Sequence, residues 1–519
     1  MLIGDLVTFN AVRFKDKTAL EDEFKKLTFD EVAKRVKALG KALQAMGVRK
    51  GDRVALLLYN CCEFAELLLG LPKSGFVAVP LNYRLAGKEL EYIIHNSEAN
   101  TLIFGEEFTE TVEAIRPSIP VRNFIVLGQR QTDAHEYERL IRNAPAGEVS
   151  VDIDETDLAY ILYTSGTTGY PKGAMLTHKN IITNLINHSL EVQPQVHNVI
   201  FNLPPLYHVA GETMMMVHFL FGCTSIMLKQ FDAGQVLQVT HEKKPNVLHL
   251  VPAMQNMVIN HPDVGKYDFN FVDLIPYGGS SIMVSQLKRS IEIFGCRFIQ
   301  FAGQTEASAA LSCLRPEDHI TEGPEYVVRR LGSAGRELKF TQVRIVDQDG
   351  NEVPPNTPGE EIARGDNVMK GYWNLPEASE ETIVNGWLHT GDICLRDEGG
   401  CIYYVDRIKD MIIRGAENVY PRQIEEIIAA HPSVMEVAVI GVPDERLGEE
   451  IMAVVVLKKD MCLTDVEIVR LCEKNLARYK KPRYVEFVSA LPKNPSGKIL
   501  KRELRQTFRG IPLSRAPLR

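Results

Sequence analysis

Apolar residues recur at helical spacing across residues 27–48 (LTFDEVAKRVKALGKALQAMGV), where Val32, Val36, Leu39 and Leu43 share one face and Asp30 can begin the helix. The period then changes. Residues 54–58 read as a buried strand, 64–71 as a helix and 77–80 as a second buried strand, and the same rhythm returns through 102–127. Strands alternating with helices predict parallel sheets joined by crossover helices. Residues 157–162 read as another strand, and 177–190 as a helix with Ile181, Ile182, Leu185 and Ile186 in one stripe. Buried strands follow at 272–275 and 298–301, each running into glycines. Such glycines suit a ligand crevice at strand ends.

From residue 340 the pattern turns β-rich, with segments at 340–346, 359–364 and 386–393 and a strand ending at 403–407. It then resets into a smaller α+β unit. Pro421 opens a helix with Ile424, Ile427 and Ile428 on one face; 434–442 and 451–457 read as strands; and Thr464 with Glu467 forms a capping box for a helix reaching residue 476. The boundary is placed at residues 406–409, which predicts domains 1–405 and 406–519.

With 519 residues, 45% of them hydrophobic and 24% charged, the composition is that of a globular chain of roughly two to four domains. The longest apolar run, residues 214–228, is interrupted by His218 and is shorter than the roughly 20 residues that span a bilayer. No basic segment followed by an apolar run opens the chain, so no secretory signal is expected. The nine cysteines show no C-x-x-C pair, and the vicinal Cys61 and Cys62 read as small buried hydrophobes; a reducing, cytoplasmic setting is expected. The net charge of −8 conceals an asymmetry: residues 474–519 carry 13 Lys+Arg against Glu486 and Glu503, a local +11 that leaves −19 elsewhere. No nucleic-acid-reading motif accompanies this basic tail, which ranks nucleic acid last; an anionic membrane surface, a polyanionic small molecule and a simply solvated tail stay open.

The chemistry concentrates in residues 163–173, Tyr-Thr-Ser-Gly-Thr-Thr-Gly-Tyr-Pro-Lys-Gly. Four hydroxyls (Thr164, Ser165, Thr167, Thr168), three glycines and Lys172 sit between a predicted strand and a predicted helix, an inventory suited to a polyphosphate. The spacing is not that of the common P-loop, because the fifth residue after Gly166 is Pro171. Two further clusters end buried strands: Tyr277-Gly278-Gly279-Ser280-Ser281, and Ala302-Gly303-Gln304-Thr305-Glu306.

Taken in order, YTSGTTGYPKG (163–173), LPPLYHVAG (203–211), YGGSS (277–281), QTEA (304–307), GWLHTGDI (386–393), DRIKDMIIRGAENVYPRQIEE (406–426) and PKNPSGKILKREL (492–504) resemble the acyl-adenylate-forming superfamily of acyl- and aryl-CoA ligases, peptide-synthetase adenylation domains and beetle luciferases. The resemblance covers nearly the whole chain. It implies an α/β fold with a large N-terminal domain of stacked mixed sheets and crossover helices, plus a small mobile α+β C-terminal domain. It also implies a ligase that uses ATP, Mg2+ and coenzyme A on a small-molecule carboxylic acid.

By that resemblance Thr164, Ser165, Gly166, Thr167, Thr168, Gly169 and Lys172 would grip the phosphates, Thr305 would contact the α-phosphate, and Glu306 with Thr168 would hold Mg2+. Lys498 would bridge the carboxylate and α-phosphate. Gly278, Gly279 and Ser280 would flank adenine, with Gly303 and Gln304 beside them, and Asp392 with Arg407 would bind the ribose. Lys409 would be the hinge of the small domain, Gly415 would line the pantetheine tunnel, and His208 would gate between that tunnel and the acyl pocket. One position departs from the family: where it usually carries an aromatic residue stacking on adenine stands Ala302, and Phe301, one residue earlier on a strand, should face the other way.

No acid lies near residues 206–209 to pair with a substrate ammonium, so an amino-acid substrate is not expected. Met214, Val217, Pro252, Met254, Ala302 and Ala307 suggest an apolar lining and hence a medium- or long-chain fatty or other hydrophobic monocarboxylic acid. An aryl acid, an acyl-AMP ligase loading a carrier-protein thiol, and a non-catalytic nucleotide- or lipid-binding relative are the alternatives. The presence of Lys498, Glu306 and Asp392 argues against the last. Peripheral membrane contact and a homodimer stay open.

Overall fold

The structure is a computed structural model that describes residues 1–129, 133–164, 170–280, 282–415, 417–444, 446–493 and 499–508. Its chain divides into two compact units, one of Met1–Ile282, Gln286–Val343 and Ala363–His389, the other of Met283–Ser285, Arg344–Ile362 and Thr390–Arg519.

Two sheets of seven and nine strands organise the first unit. Within the seven-stranded sheet, Arg53–Leu57 pairs in parallel with Val77–Pro80 on one side and Thr101–Gly105 on the other. All four residues of Val77–Pro80 and all five of Thr101–Gly105 are buried, as expected of parallel strands covered on both faces. The nine-stranded sheet places Val199–Asn202, Val247–His249, Leu274–Gly278 and Arg297–Ala302 side by side in parallel. The helix Cys62–Lys73 is buried along eleven residues from Cys62 to Pro72. The Tyr160 hydroxyl donates to Leu68 O at 2.6 Å from the sheet side, so this helix packs between layers.

The predicted helix at 27–48 is Phe29–Ala45, but its cap is Thr28. Thr28 Oγ1 accepts from Glu31 N, and the Glu31 carboxylate accepts from Thr28 N, a reciprocal box that displaces Asp30 from the capping role. The helix at 177–190 is His178–Val192, capped by Thr177 and Asn180. Ile181, Ile182 and Leu185 are buried as the stripe requires, whereas Ile186 is exposed. The strand–loop–helix expectation around residues 163–173 is corrected: a second strand, Lys172–Thr177, intervenes and pairs antiparallel with Leu158–Thr164. The phosphate-type loop therefore joins a β-hairpin, and Lys172 starts a strand.

In the second unit the long strands Val434–Asp444 and Gly448–Leu457 pair antiparallel, with Tyr484–Phe487 added in parallel. Their side chains alternate between two buried faces. Val437, Val439, Ile451, Ala453 and Val455 pack with Ile424 and Ile428 of the helix Pro421–Ala429. Ala438, Ile440, Met452 and Val454 pack with Leu504 of the helix Lys501–Phe508. Among the described residues no helix is long and apolar enough to cross a membrane.

Candidate functional site

In the first unit the hairpin brings Thr164 opposite Lys172, and Thr164 Oγ1 donates to Lys172 O at 3.5 Å. The Lys172 ammonium lies 4.9 Å from the ring centroid of Tyr372, a cation–π contact. The Tyr372 hydroxyl donates to Glu306 Oε1 at 2.8 Å. Backbone contacts fix this arrangement: Tyr372 forms a β-bridge to Ala174, Trp373 N donates to Gly173 O at 2.8 Å, and Met369 N donates to Glu306 O at 2.8 Å. The segment 366–373 thus ties the hairpin to the Thr305–Ala307 turn, a role that no motif in the sequence announced.

That turn is tightly held. Ser308 and Ala309 adopt φ of 58° and 124°, conformations that L-residues rarely take and that persist only where surroundings impose them. Asn367 imposes them here: its Nδ2 donates to Ala307 O and Ala310 O at 3.2 and 3.1 Å, and its backbone oxygen accepts from Ser308 Oγ at 2.8 Å. Gly303 lies against the same loop, where a Cβ would come within 2.7 Å of Ala310 Cα. Glu306 is 8% exposed and Thr305 half-buried. The Gln304 Nε2 amide is buried and has no partner among the described residues.

At the strand ends, Gly278 closes Leu274–Gly278 and cannot carry a side chain: a Cβ would stand 2.2 Å from Phe301 O. Gly279 follows with φ +79°, and it and Ser280 are exposed. The strand alternation holds at Ala302. Phe301 is buried and stacks on His188, ring centroids 4.1 Å apart, whereas Ala302 is half-buried. His208 caps the helix Val209–Leu220, its Nδ1 accepting from Ala210 N at 3.3 Å, and burial lowers its pKa below the usual histidine range. Met214 packs with Phe301 in one core cluster and Val217 belongs to another, with Met215 and Met216 as fully buried packing residues.

In the second unit Asp392 and Arg407 face each other on paired strands, Arg407 Nε to Asp392 Oδ1 at 2.9 Å. Glu361, which the sequence did not single out, lies beside them, fully buried. It accepts from the Tyr404 hydroxyl at 2.9 Å, and its other oxygen is unpartnered among the described residues. Burial, with the charge of Asp392 added, pushes its carboxyl up to about 8. Lys409 is exposed in the short turn Ile408–Asp410. Gly415 turns at φ +65° after the strand Ile412–Arg414 and donates its N–H to Leu447 O at 2.7 Å. Ser165, Gly166, Thr167, Thr168, Gly169 and Lys498 lie outside the described residues.

Within the first unit, the Lys172 ammonium, the Thr164 hydroxyl and the orphaned Gln304 amide are donors of the kind that phosphate oxygens accept from. Among the described residues no cluster of three or more His, Cys, Asp or Glu could hold a metal alone. A single carboxylate such as Glu306, completed by substrate phosphates, is how Mg2+ is commonly bound.

Comparison with known proteins agrees with this chemistry. The AMP-binding enzyme family matches residues 7–373, and the AMP-binding enzyme C-terminal domain matches 423–498. The chain is 37% identical over 491 residues to a feruloyl-CoA synthase of Amycolatopsis sp., covering 93% of this chain and 94% of that one. It is 36% identical over 474 residues to the long-chain-fatty-acid–CoA ligase FadD13 of Mycobacterium tuberculosis, covering 90% of each. The crystal structure of the anthranilate CoA ligase AuaEII in complex with anthranoyl-AMP superposes with a TM-score of 0.90 at 26% identity, covering 98% of this chain and 97% of that one. The chain belongs to the AMP-binding enzyme family, the adenylate-forming ligases.

Proposed function

We propose that this protein is an ATP-dependent, AMP-forming acid–CoA ligase acting on a hydrophobic monocarboxylic acid. A carboxylate oxygen attacks the α-phosphorus of ATP, the bond to the β-phosphate oxygen breaks, and pyrophosphate leaves. The sulfur of coenzyme A then attacks the acyl carbon, and AMP leaves. The first step joins two anions, so the site must cancel charge and hold them in line. Lys172 and Thr164, with Ser165 to Gly169, bind the departing phosphates; Thr305 and Lys498 act at the α-phosphate; Asp392 orients the ribose. Bound Mg2+ would neutralise phosphate charge beside Glu306. The observation that carries the reading is the Glu306 carboxylate, held by the Tyr372 hydroxyl at 2.8 Å while the same ring underlies Lys172.

The small domain, from residue 406, would present Lys498 in the first half-reaction and the face around Gly415 in the second, with Lys409 as hinge. The free cysteines fit a reducing, cytoplasmic setting. A panel of fatty and aryl acids supplied with ATP and either coenzyme A or a phosphopantetheinylated carrier protein tests the reading. Acid-dependent release of AMP and pyrophosphate with coenzyme A as acceptor is expected; transfer to the carrier alone would make it a carrier-loading ligase, and ADP release would overturn it.

A further inference from the structure

One part of the first unit's core is polar where its surroundings are apolar. The strands Val199–Asn202 and Val247–His249 end with Asn202 opposite His249. The face they share carries Ile200, Val247, Leu274, Ile299 and Phe301, with Met214 from the covering helix. Into this face the helices His178–Val192 and Val209–Leu220 bring Asn184, His188, Thr213 and His218, all at most 2% exposed. His249 is 3% exposed and Asn202 fully buried.

The hydrogen bonds fix which ring nitrogen carries each proton. A carbonyl oxygen only accepts, so His188 Nδ1, 2.9 Å from Asn184 O, and His218 Nδ1, 2.9 Å from Met214 O, are both N–H donors. Asn202 gives its Nδ2 to Gly211 O at 2.8 Å, so its Oδ1, 2.8 Å from His249 Nδ1, is an acceptor as well. All three rings therefore carry their proton on Nδ1, and each Nε2 is a lone pair. Asn184 donates Nδ2 to Thr213 Oγ1 at 3.2 Å, which leaves its Oδ1 an acceptor too. His218 Nε2 and Asn184 Oδ1 are buried with no partner among the described residues. Burial, with His218, His188 and His208 adding to it, lowers His249 to about 3, and burial lowers His188 and His218 to about 4, so the rings are neutral at pH 7. No metal-holding group of three or more His, Cys, Asp or Glu exists among the described residues.

The region thus has a surplus of acceptors and a shortage of donors, and a buried acceptor left unpaired is destabilising. It borders Phe301 through the ring of His188, next to the half-buried Ala302. Crevices at the carboxyl ends of parallel strands are where open α/β sheets bind ligands. We infer that His188, His218, His249 and Asn184 form a subsite for the distal end of the acid, one that selects a hydroxyl carried on an otherwise hydrophobic chain or ring. A second carboxylate would bring more acceptors and a charge that neutral rings cannot match. A plain hydrocarbon end would leave the acceptors unpaired.

This inference rests on the ligase reading, and its test separates the two. Initial rates of pyrophosphate release with saturating ATP and coenzyme A are compared within matched pairs: cinnamic against 4-hydroxycinnamic acid, and octanoic against 8-hydroxyoctanoic acid. The wild-type enzyme is expected to favour the hydroxylated member of at least one pair by about tenfold or more in kcat/KM. His249→Phe and His218→Phe should each shrink that ratio to about threefold or less. The wild-type ratios need no variant to fold. Equal kcat/KM within both pairs, or a preference that survives both substitutions undiminished, would overturn the subsite and assign the acceptors to ordered water. Absence of pyrophosphate release with every acid would instead overturn the ligase reading, and the subsite with it.

Discussion

Glu212 shows what burial does to a single carboxyl. It is fully buried, with neither oxygen partnered among the described residues, and burial alone pushes it up to about 8 from an ordinary 4.5. The folded chain holds this proton more tightly than the unfolded chain. Its contribution to stability is therefore whole below about pH 4.5 and is lost as pH rises through about 8. Glu212→Gln should melt progressively higher relative to wild type between pH 5 and pH 9, by up to ~1.4 kcal/mol per pH unit inside that window. A melting difference independent of pH would refute it. Tyr372 offers a complementary test, because Tyr372→Phe keeps the ring under Lys172 and removes only the hydroxyl on Glu306. A charge-assisted hydrogen bond lost there should weaken Mn2+ binding to the enzyme–ATP complex about tenfold, read by electron paramagnetic resonance. Unchanged Mn2+ affinity would mean that Tyr372 does not orient the carboxylate.

At the scale of elements, the paired strands Leu274–Gly278 and Arg297–Ala302 set a steric rule that the sequence only hinted at. Gly278→Ala places a methyl 2.2 Å from Phe301 O and must part the two strands, whereas Gly279→Ala meets open space and bears only the strain of φ +79°. The second change should destabilise by about 1–2 kcal/mol and the first by clearly more, measured as denaturant midpoints. Equal effects would mean that the strands give way freely. Most elements were legible because their signals are local: the capping box at Thr464 and the apolar runs of 77–80, 101–105 and 437–442. The strand Lys172–Thr177 was not, since Lys-Gly-Ala-Met-Leu-Thr is short, opens with a glycine-containing dipeptide and gains its identity only by pairing with Leu158–Thr164. Tyr372 was hidden for the same reason. Its partner Glu306 lies 66 residues away, and nothing periodic marks the stretch between 366 and 375. Glu361 and the histidines 188, 218 and 249 likewise acquire meaning only from burial and from which atom each faces.

For the whole molecule, the ordered motifs carried the family and the two-domain plan. The ligase reading makes Lys498 a reagent of the first half-reaction alone. Lys498→Ala should lower acyl-adenylate formation about a hundredfold or more, roughly 3–4 kcal/mol of transition-state stabilisation, while thioester formation from supplied acyl-AMP continues. Lys409→Pro, at the assigned hinge, should instead spare one half-reaction and suppress the other; survival of both would remove the hinge. The central claim is that the acid is activated as an adenylate before any thiol takes part. Exchange of radiolabelled pyrophosphate into ATP, measured with and without acid and coenzyme A, tests this most directly. The account predicts exchange that requires a hydrophobic acid and proceeds without coenzyme A; exchange that is absent until coenzyme A is added would contradict it.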